Sequence, residues 1–325
     1  MTILLTGAAG FIGYHVSEAL LVRGERVIGV DDLNPYYDVR LKQARLDRLK
    51  ASANFESHAA DVADRGVIHD LVSRNKDIGV IVHLAAQAGV RHSLIDPYAY
   101  VQSNVMGHLV MLEAARLLPG LRHLVYASSS SVYGANQALP FSETDRVDSP
   151  LSVYAATKRA GELLSHAYAH LHGLPQTGLR FFTVYGPWGR PDMAYYSFAK
   201  AIVAGEPITV YDGGRLKRDF TYIDDIVAGV IGCLERPPDD LPPARVLNIG
   251  NHHSETVSSL IDRLERALGR RAILRDVARP AADVEETFAS VDAIAALTGF
   301  APRTSLAEGI PRFVAWFRQW EGIAH

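Results

Sequence analysis

Over the first 180 positions, apolar residues fall into short runs separated by segments with helical spacing. The runs at 3–5, 26–30, 53–57, 80–84, 121–127 and 176–180 have the length and content of strands. Between them, segments 12–23, 66–75, 100–117 and 151–172 carry apolar residues at the helical period. Strands alternating with helices predict a parallel sheet covered by helices on both faces. After Phe181 the rhythm loosens. Pro, Gly and Arg become frequent, and helices are predicted over 196–204, 223–234, 257–268 and 306–320. Residues 237–243 (PPDDLPP) read as an exposed turn or loop. The expectation is an α/β chain with a main domain over 1–180 and a smaller lobe over 181–325. The two interleave across a soft boundary.

The first strand runs directly into Gly7-Ala8-Ala9-Gly10-Phe11-Ile12-Gly13, which opens the first helix. Glycines there allow a tight turn and a close backbone approach, and the helix N-terminus receives a pyrophosphate. This makes the main domain a Rossmann-type, doubly wound dinucleotide-binding unit. Asp31 ends the second strand, eighteen residues past Gly13. An acid at that place accepts from ribose hydroxyls and repels a 2′-phosphate, favouring NAD over NADP; Asp32 is adjacent and can share the role. Asp61 and Val62, after the third strand, are candidate adenine contacts. Leu84, Ala85, Ala86 and Gln87 close the fourth strand with mostly small residues, so a cofactor can lie close to the sheet edge.

Composition narrows the classes. A formal net charge of -3 excludes a general nucleic-acid-binding surface, so any anionic ligand must meet local cations. Cys233 is the only cysteine, which rules out an internal disulfide and a cysteine-based metal cluster and fits a cytoplasmic setting. No apolar run reaches membrane-spanning length, and no leader-like segment opens the chain. His252-His253 read as loop histidines rather than metal ligands, and no metal is expected.

Candidate chemistry lies in Tyr154-Ala-Ala-Thr-Lys158. On a helix, residues four apart share a face, so the phenol and the ammonium enter one space. A free phenol titrates near pH ~10; a neighbouring ammonium favours the tyrosinate and suits it to general-base work. Ser128-Ser129-Ser130-Ser131 follows the fifth strand at its carboxyl end, where ligands bind in an open α/β sheet. Ser129 precedes Tyr154 by twenty-five residues and can bond the substrate oxygen.

With these pieces the chain resembles extended short-chain dehydrogenase/reductases acting on nucleotide sugars, most closely UDP-glucuronate 4-epimerases, over nearly its whole length. The matching stretches are Ala85-Ala-Gln-Ala-Gly-Val-Arg91, Tyr126-Ala-Ser-Ser-Ser-Ser-Val-Tyr-Gly134, the Tyr154–Lys158 pentapeptide, Leu179-Arg-Phe-Phe-Thr-Val-Tyr-Gly-Pro-Trp-Gly-Arg190-Pro-Asp-Met193 and Lys217-Arg-Asp-Phe-Thr-Tyr-Ile-Asp-Asp225. The resemblance implies that Tyr154 takes the proton of the sugar 4-hydroxyl, Lys158 assists, and hydride passes to NAD and returns to the other face of a 4-keto sugar. It also implies Asn104 as a cofactor contact and Arg91, Ser129 and Ser130 as substrate contacts. Tyr211 would stack on uracil, Arg218 and Arg279 would grip the diphosphate, and Thr183 and Arg190 would hold the sugar carboxylate. Related lyases carry an acid where this chain has Ser131, which favours epimerisation; the alternative is a UDP-glucose/UDP-galactose 4-epimerase, and behind it a UDP-glucuronate decarboxylase or a non-catalytic NAD-binding regulator. Such enzymes usually form a homodimer by pairing two helices per subunit, here those over 100–117 and 151–172.

Overall fold

The structure, a computed structural model, describes residues 1–278 and 284–323. Arg279, the second diphosphate candidate, lies outside the described residues.

Six strands build the main sheet from the N-terminal part: β1 (Thr2–Thr6), β2 (Arg26–Asp31), β3 (Phe55–Ala59), β4 (Ile78–His83), β5 (His123–Ser129) and β6 (Gln176–Phe181). The C-terminal part contributes β7 (Thr183–Tyr185), β8 (Pro207–Tyr211), β9 (Lys217–Tyr222), β10 (Ala244–Ile249), β11 (Ser254–Thr256), β12 (Ile273–Val277) and β13 (Glu286–Thr287). The order in the main sheet is β3-β2-β1-β4-β5-β6-β10, parallel throughout. β10 comes from the C-terminal part and pairs with β6, so the two parts share one sheet. Parallel strands buried on both faces explain the continuous apolar runs of the sequence. Along β1, Ile3 and Leu5 enter one core cluster while Leu4 enters the other, as the two-residue strand period requires.

Helices α1 (Phe11–Val22), α2 (Val39–Lys50) and α3 (Arg65–Arg74) follow the first three strands. α2 is the helix that apolar periodicity does not reveal. Its buried face mixes Leu41, Leu46 and Leu49 with Lys42 and Arg45, so the stripe is interrupted by charge. The predicted single helix over 100–117 is a composite: α4 (Pro97–Tyr100), a π-helical stretch Val101–Met106, then α5 (Gly107–Arg116). Asn104, inside the widened turns, exchanges two hydrogen bonds with the Gln87 main chain and donates to Thr157 Oγ1 at 3.0 Å. Wide turns of this kind occur where a helix must aim a side chain.

α6 (Val153–His172) begins where the Ser152 hydroxyl accepts from Ala155 N, and it ends on Gly173 in the left-handed region. Its opening turns carry Tyr154 and Lys158 to the carboxyl end of the sheet. The remaining helices are α7 (Ala194–Ala204), α8 (Ile223–Leu234), α9 (Val257–Leu268), α10 (Asp292–Thr298) and α11 (Leu306–Glu321). No helix is long and apolar enough to cross a membrane among the described residues.

Asp219 on β9 ties three segments of the C-terminal part together. Fully buried, it accepts from Thr221 Oγ1 at 2.9 Å, Asn251 N at 2.6 Å and Ala289 N at 3.1 Å. An amide cannot accept on its nitrogen. Asp219→Asn therefore strands at least one buried donor and is expected to cost about 1–3 kcal/mol, read as a lower midpoint in urea unfolding.

Candidate functional site

One cleft of about 880 Å³ runs along the carboxyl ends of the strands, from the loop after β1 to β8 and β9. It spans the β1–β4 step, where strand order reverses and open α/β sheets bind their ligands.

Its first wall is the glycine turn. Gly7 has φ +74°, and a β-carbon there would stand 2.8 Å from Ala85 N; one on Gly13 would stand 2.0 Å from Gly7 O. Side chains are thus excluded, and bare main chain meets the N-terminus of α1. Asp31, buried at the end of β2, accepts from Ala9 N at 3.0 Å and Leu33 N at 2.9 Å. Burial raises its pKa, and Lys42, 4.0 Å away, opposes the shift. Asp32 and Asp61 are exposed beside it, each capping its own turn through Asn34 N and Ala63 N. Val62, Leu84, Ala85, Ala86 and Gln87 complete this half. A bare glycine turn at a helix N-terminus, with a carboxylate one strand away, fits a dinucleotide. Asn104 stands behind Gln87, one of the residues lining the cleft. It is buried, and its amide holds the Gln87 main chain to α6.

The middle of the cleft holds Ser129, Ser130, Tyr154 and Lys158. Lys158 Nζ donates to Ala127 O at 2.9 Å and lies 6.0 Å from the Tyr154 ring centre. Ser129 Oγ accepts from Ser131 N and is a hydrogen-bond partner of Tyr154. Burial pushes the Tyr154 phenol above its ordinary pKa, while the Ser129 bond and the Arg190 charge pull it back. With Lys158 alongside, the phenol still stands above its ordinary pKa, because burial outweighs the charges around it. Burial lowers Lys158 to about 8.

Two such groups in one space titrate as a pair. A proton must leave the pair before the phenol can act as a base, so activity is low on the acid side. kcat/KM is expected to climb with pH by about tenfold per unit and level off above about pH 8. Lys158→Met should move that inflection upward, because the buried phenol then titrates alone. A pH–rate profile of both proteins checks this.

The far end of the cleft is lined by Thr183, Arg190, Tyr211 and Arg218, with Arg91 reaching across. The Arg91 guanidinium stacks 5.1 Å from the Tyr211 ring centre. Arg190 is held by Asp192 through a forked pair, Nε to Oδ1 at 3.1 Å and Nη2 to Oδ2, and Tyr36 donates to Asp192 at 3.1 Å. Burial alone would lower the Arg190 pKa, but the Asp192 carboxylate pushes it above the ordinary range. Lys42, Tyr36, Tyr37 and Asp192 line the cleft without having been singled out in the sequence. Only Asp192, inside the Gly-Pro-Trp-Gly-Arg-Pro-Asp-Met stretch, carried a signal there. No cluster of metal-ligating side chains occurs among the described residues.

A glycine turn, a Tyr–Lys pair and a serine-lined strand end in one Rossmann-type cleft define a dinucleotide-dependent enzyme of the short-chain dehydrogenase/reductase type. Residues 3–250 match the NAD dependent epimerase/dehydratase family, and the chain belongs to it. It is 45% identical over 340 residues to a probable UDP-glucuronate 4-epimerase of Rhizobium meliloti (strain 1021), covering 100% of this chain and 99% of that protein. It is also 45% identical over 337 residues to UDP-glucuronate 4-epimerase 1 of Arabidopsis thaliana, covering 99% of this chain and 78% of that one. The fold superposes with a TM-score of 0.91 on the crystal structure of UDP-glucuronic acid 4-epimerase from Bacillus cereus in complex with UDP-glucuronic acid and NAD, at 34% identity, covering 98% of this chain and 100% of that one.

Proposed function

We propose that this chain interconverts UDP-glucuronate and UDP-galacturonate by epimerisation at C4, using NAD held in the cleft. The observation that carries the reading is the placement of Arg190. A guanidinium shares the cleft with the Tyr154–Ser129 pair, close enough for its charge to act on the phenol. A uronic acid needs such a cation beside the reacting carbon.

The glycine turn, Asp31 and Lys158 are the residues that would hold NAD, which when bound takes the C4 hydride and gives it back. Tyr154 receives the 4-hydroxyl proton and returns it after the sugar has turned, so the protein ends each cycle unchanged. Ser129 bonds the same oxygen, and Ser130 lies beside it. Tyr211 and Arg91 form an aromatic–cation clamp suited to uracil, and Arg218 faces the diphosphate. A 4-keto uronate is a β-keto acid. If the C5–C6 bond aligns with the ketone, carbon dioxide leaves, the bond pair becomes an enolate, and a proton on C5 completes a 4-keto pentose. Arg190 and Thr183 hold the carboxylate out of that alignment, and Ser131 supplies no acid to assist a lyase.

A homodimer fits the apolar residues exposed around α4 and the π-helical stretch (Leu94, Ile95, Tyr98, Val101 and Met106) and on the neighbouring α6 (Leu163). The free, buried Cys233 suits a cytoplasmic setting. The test is incubation of the purified protein with UDP-glucuronate, with and without added NAD, and chromatography of the products. UDP-galacturonate supports the reading. A pentose as the main product, or conversion of UDP-glucose in preference to UDP-glucuronate, would sink it.

A further inference from the structure

Arg45, on α2, is the largest fully buried side chain among the described residues. It does not line the cleft, and among the described residues it makes no ion pair. Its partners are neutral oxygens: Nη1 donates to Ala9 O and Tyr37 Oη, both at 2.7 Å, and Nη2 to Trp188 O at 2.5 Å and Gly189 O at 3.2 Å. Nε has no partner. Burying a cation without a carboxylate is unfavourable relative to an apolar residue of the same shape.

What the guanidinium achieves is a join between two loops. Ala9 stands in the glycine turn, and its N–H is held by Asp31. Trp188 and Gly189 immediately precede Arg190. Trp188 has φ +59°, a conformation that a bulky side chain adopts only under constraint. At Gly189 a β-carbon would stand 1.9 Å from the Tyr195 oxygen. The planar fork of Arg45 thus fixes the strained loop that presents Arg190 against the loop that receives the dinucleotide. A lysine offers one point charge in place of that fork.

We propose that Arg45 is a positioning residue coupling the dinucleotide loop to the substrate loop, so that filling either site favours binding at the other. The inference rests on the reading of Arg190 as the carboxylate contact. Coupling of this kind is reciprocal. It is read by titrating NADH, followed by its fluorescence, with and without saturating UDP-glucuronate; both are reduced, so no turnover intervenes.

In the wild-type protein NADH should bind about fivefold or more tightly in the presence of the sugar nucleotide. In Arg45→Lys the ratio should fall towards one, and kcat/KM should drop about tenfold or more. A purely structural role would lower the melting temperature and leave the ratio intact. A wild-type ratio of one overturns the proposal, as does a wild-type ratio retained in Arg45→Lys or, should that variant not fold, in Arg45→Gln. Wild-type turnover of UDP-glucuronate is measured in the same preparation. Its absence overturns the substrate reading and this inference with it, whereas turnover with a ratio of one overturns the coupling alone.

Discussion

Tyr154→Phe is expected to slow epimerisation by about 10³-fold while leaving a folded protein that still binds the dinucleotide. The substitution removes one oxygen and keeps the ring, which packs edge-on against Tyr100 at 6.0 Å between centres. Lys158 keeps its bond to Ala127 O, so α6 stays anchored to β5. Ser129 then faces the substrate hydroxyl alone. A serine hydroxyl is far less acidic than a phenol, so it stays protonated and cannot accept the proton of the 4-hydroxyl. The check is a rate measured on chromatographed products, alongside NADH binding and the melting temperature. A variant within tenfold of wild type would mean that another group is the base.

Arg190→Ala is the second large effect. Charge-assisted hydrogen bonds to a carboxylate in a partly buried site contribute several-fold to several-hundred-fold each, and the forked geometry of Arg190 suits two. kcat/KM for UDP-glucuronate should fall about 10²-fold, and a decarboxylated pentose should appear among the products. Asp192 loses its partner in this variant, so its pairing with Tyr36 becomes the only one it has on that side. Arg190→Lys separates the contributions: it retains a charge for Asp192 without the fork, and it should recover affinity before it recovers product purity. Wild-type turnover with UDP-galacturonate as the sole product in Arg190→Ala would remove the clamp from the mechanism.

Most of the main sheet is legible in the chain because its strands are buried on both sides and so read as plain apolar runs. Strand ends are less so. β3 and β5 each begin two residues later than their runs suggest, since pairing with neighbours sets where a strand starts. α2 was hidden because its inward face must carry Lys42 to Asp31 and Arg45 to two loops. A charged buried face has no hydrophobic period. The π-helical stretch within 97–116 was hidden for a related reason: Asn104 looks like any polar helix residue until Gln87 and Thr157 are placed beside it.

The sequence by itself determined the class of chemistry. Local spacing delivers the glycine turn to a helix N-terminus and sets Tyr154 and Lys158 on one face of α6, because a turn and a helix period are properties of neighbouring residues. Tertiary structure alone decided how those pieces are tuned and joined. Burial dominates the Tyr154 phenol; Asp192 takes one edge of Arg190; Arg45 ties Ala9 to Trp188 across 143 positions of chain from its own place on α2. Desolvation and long-range hydrogen bonds depend on what the folded chain brings together, and no local pattern encodes them.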